Sequence, residues 1–234
     1  MGLSVMSSPA VSVIIPAWNE ERTITATLRA LRPFADHVDA ELIVVDDGSS
    51  DRTADLAEAL CHYVVRHAVN KGKGAALQSG LAQSNGEVIL FLDADLRETA
   101  AYANLLLQPV LDGRADMSVA CFVPRRKRGG FGLVKRLARY GIEALSGYQC
   151  KAPLSGQRAI KKSVLERIGR FSSGFGVEVG MTIDAAVLGF RIVEVDIPFC
   201  HRLTGNDVSG WTHRGRQFFA VGLTLWSKWR KPIC

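Results

Sequence analysis

Apolar positions in the first hundred residues follow two alternating rhythms. Short, nearly continuous runs rich in β-branched residues read as strands: Val11-Ser-Val-Ile-Ile15, ended by Pro16; Glu41-Leu-Ile-Val-Val45, ended by the turn Asp46-Asp-Gly-Ser-Ser50; Tyr63-Val-Val65; and Glu87-Val-Ile-Leu-Phe-Leu92, ended by Asp93-Ala-Asp95. Between them the spacing becomes helical, with Ile24, Leu28 and Leu31 on one face, then Thr53, Leu56 and Leu60, then Leu77 and Leu81. Asn19 is available to cap the first of these helices, and Ser49, Ser50 or Asp51 the second. Strands alternating with helices predict parallel βαβ units. Strands this apolar predict a sheet covered on both faces.

The basic run Arg125-Arg-Lys-Arg-Gly-Gly130 breaks the pattern, and a helix-like stretch follows from Leu133 to Leu145. Strand- and helix-like spacing returns from Ser155 to Pro198, and the tail from Gly210 to Lys231 mixes aromatic residues with cations. No internal repeat and no long linker divides the chain. The expectation is one continuous α/β domain in two halves, residues 10–123 and 124–234, built on a single sheet flanked by helices.

A chain of 234 residues with 47% hydrophobic and 22% charged positions has a globular balance, which excludes wholesale disorder. The longest nearly apolar run, Phe218 to Trp226, falls well short of the roughly 20 residues of a spanning helix. Met1 to Ala10 has no basic start and no apolar core, so a secretory signal is not expected and the cytoplasm is the default. Five cysteines without a CxxC indicate neither a disulfide framework nor a zinc ribbon. The net charge of +6 favours anionic partners: nucleotide phosphates, acidic acceptors, anionic lipid or nucleic acid. No nucleic-acid-binding motif accompanies that charge, so nucleic acid is not expected as a partner.

Ligands of open α/β sheets bind beyond the carboxyl ends of the strands. Three polar clusters lie at such ends here: Pro16-Ala-Trp-Asn-Glu20, Asp46-Asp-Gly-Ser-Ser50 and Asp93-Ala-Asp95. Carboxylates at i and i+2 just past a strand suit a hard divalent cation such as Mg²⁺ or Mn²⁺, which completes its shell with phosphate oxygens. The same spacing also suits a plain capped turn. An ionised Asp46 or Asp47 only accepts hydrogen bonds and so suits a pyrimidine N–H. Gly72-Lys-Gly74 opens a helix and could present backbone amides and Lys73 to a base, ribose or phosphate. It completes neither a dinucleotide fingerprint, having Leu77 at the third glycine position, nor a phosphate loop.

Taken in order and spacing, Val11 to Glu21, Val44 to Thr53, Asn70 to Leu77 and Phe91 to Asp95 resemble the family 2-type glycosyltransferases of GT-A fold. That resemblance implies a Rossmann-like mixed sheet, a nucleotide-sugar donor (usually UDP-linked) and Mg²⁺ or Mn²⁺. It places Pro16, Ala17, Trp18 and Glu20 along the base and ribose, Asp47 opposite the uracil, and Lys73 beside the nucleoside. Asp93 and Ala94 would approach the ribose or metal, with Asp95 the main metal ligand. Residues 10–123 become the nucleotide-sugar-binding half and 124–234 the acceptor-binding half.

In that second half, Ala152 to Gly156, Gly174 to Asp184 and Cys200-His-Arg202 resemble the glucosyl-3-phosphoglycerate synthases, and more distantly the dolichol-phosphate mannosyltransferases. The resemblance implies His201 as a further metal ligand and Glu178 as a residue at the sugar hydroxyls or the acceptor. It also implies UDP-glucose as donor, and retention at the anomeric carbon. Arg126, Arg128, Gly130 and Arg202 are the acceptor candidates. Phe131, Gly132 and Leu133 follow Gly129-Gly130 where the synthases have an Arg and a Thr, and Leu203 replaces an Asn, so 3-phosphoglycerate is in doubt as acceptor. The alternatives are an inverting transferase onto polyprenyl phosphate at a membrane surface and a nucleotide-sugar-binding protein without turnover. The aromatic, basic tail suits an interfacial helix making peripheral membrane contact at a bilayer and equally a helix packed on the domain with its basic face in water, the second being preferred, and a homodimer is also compatible with the sequence.

Overall fold

The computed structural model describes residues 9–122, 132–172, 174–199, 208–231 and 233. The chain runs β1 (Val11–Ala17), α1 (Ile24–Val38), β2 (Ala40–Asp46), α2 (Thr53–Glu58), β3 (Tyr63–Arg66), α3 (Lys73–Gln83) and β4 (Val88–Phe91). A 3-10 turn at Arg97–Tyr102 leads into α4 (Ala103–Leu111), β5 (Met117–Phe122), α5 (Leu133–Ser146), β6 (Arg158–Lys161) and α6 (Lys162–Ile168). A second 3-10 turn, Gly174–Gly176, precedes α7 (Val177–Val187), β7 (Ile192–Ile197) and α8 (Val208–Arg230).

The strands form a seven-stranded sheet in the order β3-β2-β1-β4-β6-β5-β7. The four strands of the first half are parallel, as the alternation predicts. The sheet is mixed because β6 runs antiparallel to both neighbours, β4 and β5. β1, β2 and β4 are buried along nearly their whole length. β3 departs from the expectation of two covered faces: it is one of the two edge strands, with β7 at the other end, and its ends Tyr63 and Arg66 are exposed. β1 continues through Pro16 to Ala17, with Pro16 opposite Val45 and beyond the last β1–β4 pair, Ile14 with Phe91. A missing N–H is tolerated there because no second ladder needs it.

Alternation along β1 sorts side chains onto two cores. Val11, Val13 and Ile15 pack with Ile24, Leu28 and Leu31 of α1 and Leu106 and Val110 of α4. Ile14, on the opposite face, packs with Leu77 of α3, Val164 and Leu165 of α6, and Val177 and Met181 of α7. A third cluster joins Ala138 and Ile142 of α5 to Val179 and Ile183 of α7 and Val221 of α8. α8 is also fastened by an ion pair between Lys228 and the buried Asp184 of α7. Burial pushes the Asp184 carboxyl up, and Lys228 counters only part of that push. No helix among the described residues is long and apolar enough to cross a membrane. Cys61, Cys121 and Cys150 are free thiols, and burial raises the latter two to about 11, which leaves them unreactive.

Two local expectations change. Asn19 does not cap α1; its φ is 55°, its Oδ1 accepts from the Ser50 amide at 2.9 Å, and its own amide donates to Ser49 Oγ at 2.9 Å. It therefore laces the loop after β1 to the loop after β2. The second helix ends at Glu58, before Leu60, and Asp51 accepts from the Thr53 amide at its start.

Asp116, at the start of β5, ties the second half of the sheet together. It accepts from Lys161 Nζ at 2.7 Å and from the Arg191 amide and Nε at 3.0 and 3.2 Å. The Arg191 guanidinium, against the effect of partial burial and helped by Lys161, holds the Asp116 carboxyl well below the usual carboxylate range. A depressed carboxyl contributes stability that is complete above its unfolded-state pKa of about 3.9 and is lost as pH falls toward the folded value. Asp116→Asn is expected to lower stability by about 1–3 kcal/mol at neutral pH. In urea titrations across acid pH the variant should lose less stability between about pH 5 and pH 2 than the parent. Equal acid slopes would contradict the assignment.

Candidate functional site

The carboxyl ends of β1, β2 and β4 meet at one rim. The Asp47 amide donates to the Ala17 carbonyl at 2.8 Å, and Leu92 donates to Ile14 at 3.1 Å, so the three loops leave the sheet side by side. Trp18 stands 54% exposed at this rim, whereas Ala17 beside it is buried. Glu20 turns its carboxylate onto Thr23 Oγ1 at 2.6 Å, and its amide donates to Thr53 Oγ1 at 2.8 Å. With Asn19, Asp51 and Arg97 it lines a hollow of about 350 Å³ on the α1 side.

The Asp47 carboxylate, expected opposite a uracil, is turned inward. It meets His67 Nδ1 at 2.7 Å and accepts from the Lys71 and Gly72 amides at 2.9 and 2.8 Å. His67 is itself buried and reaches Ser79 Oγ at 2.9 Å through its other ring nitrogen. Asp47 is 4% exposed, so it orders the loop before α3 instead of presenting an open acceptor. That loop delivers Lys73. Gly74 owes its identity to packing: a Cβ there would lie 2.5 Å from the Ser172 carbonyl oxygen.

Lys73 starts α3, and its ammonium lies 2.7 Å from Asp93 Oδ1 and 3.0 Å from Glu178 Oε1. A cation in the first turn works against the helix dipole by about 0.3–1 kcal/mol. Two carboxylates in direct contact offset both that penalty and the cost of burying the ammonium enough to keep it charged. Burial acts to deprotonate Lys73, but Asp93 and Glu178 overcome it and hold the amine charged beyond the ordinary lysine range. Glu178 sits in the first turn of α7, where a carboxylate complements the dipole. Gln157 donates its amide to the other oxygen of Asp93. Lys73, Asp93, Gly156, Gln157 and Glu178, with Gln217 from α8, line a cavity of about 220 Å³.

Beneath it Arg158 is 1% exposed, donating to the Ser155 carbonyl at 3.0 Å and Thr182 Oγ1 at 2.9 Å. Burial lowers its guanidinium to about 10, against the pull of Glu178. One of its nitrogens has no partner among the described residues.

Asp95 lies half-buried two residues past Asp93, and the Ala94 carbonyl between them accepts from Thr27 Oγ1 at 2.8 Å. Carboxylate oxygens are the donor type a hard divalent cation takes, and Asp93 and Asp95 supply them here, although Asp93 already accepts from Lys73 and Gln157. Among the described residues no group of three or more His, Cys, Asp or Glu side chains converges to hold a metal. His201, the further ligand expected from sequence, lies outside the described residues, as do Arg126, Arg128, Gly130 and Arg202.

Residues 12–169 match the model of glycosyl transferase family 2. The chain belongs to that family. It is similar to the glucosyl-3-phosphoglycerate synthase of Mycobacterium tuberculosis, 33% identical over 195 residues that cover 74% of this chain and 60% of the synthase. It thus spans about three fifths of that relative's length. The glycosyltransferase AglJ of Haloferax volcanii is 29% identical over 209 residues, covering 86% of this chain and 66% of AglJ. A crystal structure of the M. tuberculosis synthase with Mn²⁺, UDP-glucose and phosphoglyceric acid superposes with a TM-score of 0.78 at 32% identity, covering 94% of this chain and 79% of that one. Another holds Mg²⁺ and UDP. The fold is therefore the GT-A fold of this glycosyltransferase family.

Within the family fold, sequence reasoning named Lys73, Asp93 and Glu178 but missed Gln157, Gly156, His67 and Gln217. Gln157 stands one residue past the Ala152 to Gly156 stretch, and nothing in its spacing marks it. Gly156 lies so close to Lys73 that a Cβ would land on the ammonium, with Asp93 Oδ1 at 3.2 Å. Gly156→Ala is expected to displace Lys73 with a change in melting temperature within about 4 °C. Its amine should then titrate nearer the ordinary value of about 10.4, followed by NMR of the labelled side chain. An unchanged Lys73 titration would show that the glycine does not hold the contact open.

Proposed function

We propose that this chain is a metal-dependent glycosyltransferase that moves a hexose from UDP-glucose to a phosphorylated acceptor with retention at the anomeric carbon. The observation that carries this reading is the convergence of Lys73, Asp93, Gln157 and Glu178 on one cavity at the carboxyl edge of the sheet. The donor and the ions named for the synthase structures support it.

Pro16, Ala17, Trp18 and Glu20 receive the base and ribose, with the exposed Trp18 indole free to stack. Asp47 acts through the 67–72 loop, which its carboxylate holds in place for Lys73. Lys73 supplies positive charge beside the nucleoside diphosphate, and Asp93 keeps it protonated and aimed. Glu178, freed from Lys73 by an incoming phosphate, accepts from sugar hydroxyls and orients the donor. Asp95 with Asp93, together with His201, would hold Mg²⁺ or Mn²⁺, and such an ion supplies Lewis-acid stabilisation of charge on departing UDP. Arg126, Arg128, Gly130 and Arg202 take the acceptor's anionic group. The polar residues missing beside Gly129-Gly130 turn the acceptor preference away from 3-phosphoglycerate.

Asp95→Asn is expected to abolish Mn²⁺-dependent UDP binding measured by calorimetry, whereas Lys127→Ala leaves it intact. Unchanged metal-dependent binding in the Asn variant would remove Asp95 from the metal site. The product from UDP-α-glucose is expected to be an α-glucoside by NMR. A β-product would replace retention with direct displacement by an acceptor such as a polyprenyl phosphate.

A further inference from the structure

α8 presents two faces of opposite character. Its inner face is used: Val221 is fully buried in the cluster with α5 and α7, Thr224 is buried, and Lys228 pairs with Asp184. On its outer face Phe218, Phe219, Leu223, Trp226 and Trp229 are 45%, 71%, 56%, 54% and 70% exposed. At 100° per residue these five positions fall within an arc of roughly 140°, one continuous apolar stripe. Scattered exposed apolar residues are ordinary, but three large aromatics more than half exposed on one stripe are not.

Charge decides what suits this stripe. From Val208 to Cys234 the chain contains no Asp or Glu. Arg216, Arg230 and Lys231 are exposed, and Arg230 lies 5.0 Å over the Trp226 ring, so cation and aromatic share one face. The packed neighbour α5 repeats the chemistry, with Leu133 and Tyr140 exposed among Lys135, Arg136 and Arg139. Its sole carboxylate, Glu143, is taken by Gln149 at 2.8 Å. A second copy of this face would oppose six cations, Lys135, Arg136, Arg139, Arg216, Arg230 and Lys231, to the same six, with only Glu143 to offset them.

We propose that the outer face of α8, flanked by the cations of α5, docks the protein on a bilayer surface carrying anionic phospholipids. Trp and Phe rings enter the headgroup–acyl boundary while Arg216, Arg230 and Lys231 meet lipid phosphates, each cation adding about 1 kcal/mol, roughly fivefold in partitioning. The cavity residue Gln217 lies on the same helix, so docking sets the transfer site about one helix diameter, ~10 Å, from the lipid. Docking is independent of which donor the cavity holds.

The test is flotation of the full chain with vesicles of phosphatidylcholine alone and with added phosphatidylglycerol. Binding is expected with the anionic vesicles and not with the neutral ones, weakening as salt is raised. The triple variant Phe219→Ser, Trp226→Ser, Trp229→Ser should partition at least about tenfold less, with its melting temperature and UDP binding unchanged. Should that variant fail to fold, Arg216→Glu with Arg230→Glu, both at exposed positions, should abolish the preference for anionic vesicles. Equal binding to both vesicle types, or full binding by a folded variant, would overturn the proposal. So would a dimer in light scattering that the triple variant dissolves, because the stripe would then join two copies.

Discussion

The site depends on keeping one ammonium where three elements would otherwise repel or ignore each other. Lys73 stands at the start of α3, Asp93 at the end of β4 and Glu178 at the start of α7, more than a hundred residues from Lys73 along the chain. Without that cation the two carboxylates would share a partly buried cavity at a cost neither could relieve by hydrogen bonding alone. The remaining positions follow from this demand. Asp47 and His67 stiffen the loop that delivers Lys73, Gly74 lets α3 approach the Ser172 carbonyl, and Gly156 leaves room for the ammonium itself.

The reversed direction of β6 brings the second half to that cation. Since β6 runs antiparallel to β4, its beginning lies at the rim where β4 ends, with Arg158 opposite Phe91. Gln157, one residue earlier, therefore reaches Asp93. A parallel strand at this position would have placed its first residues at the far edge, beside Glu41 and Asn85. Arg158 occupies the layer just below, where its buried charge is offset by Glu178 and by hydrogen bonds to Ser155 and Thr182. Breaking up such an arrangement costs more than it gains, because any group removed leaves another charge unpaired in low dielectric.

α8 couples this interior to the surface. Its inner face reaches both the cavity, through Gln217, and the buried Asp184, through Lys228. Thr224 packs so closely on Gly176 that no side chain fits there. A helix held this firmly by its inner residues can leave its aromatic outer face uncovered, since its stability does not depend on burying that face.

Much of the first half was legible in the sequence because its signals are local. Runs such as Val11 to Ile15 and Val88 to Leu92 are short, rich in β-branched residues and bounded by turn signals, which reads as covered strands, and the alternation with helices leaves parallel pairing as the ready solution. Four ordered motifs then sufficed for the family and brought Lys73 and Asp93 forward as candidates, while Glu178 came from the separate resemblance of Gly174 to Asp184. Packing decided the rest. Asn19 could cap a helix or bridge two loops, and only the position of Ser49 and Ser50 chose the bridge. Asp47 could face a ligand or the chain, and the amides of Lys71 and Gly72 claimed it. Gln157 and His67 carry no periodic or compositional mark, because their partners are brought to them by strand direction and loop closure. Sequence by itself determined which residues prefer strand, helix or turn, since those preferences depend on near neighbours. Which charges face one another was settled by tertiary structure alone, because that depends on distances between segments that are remote along the chain.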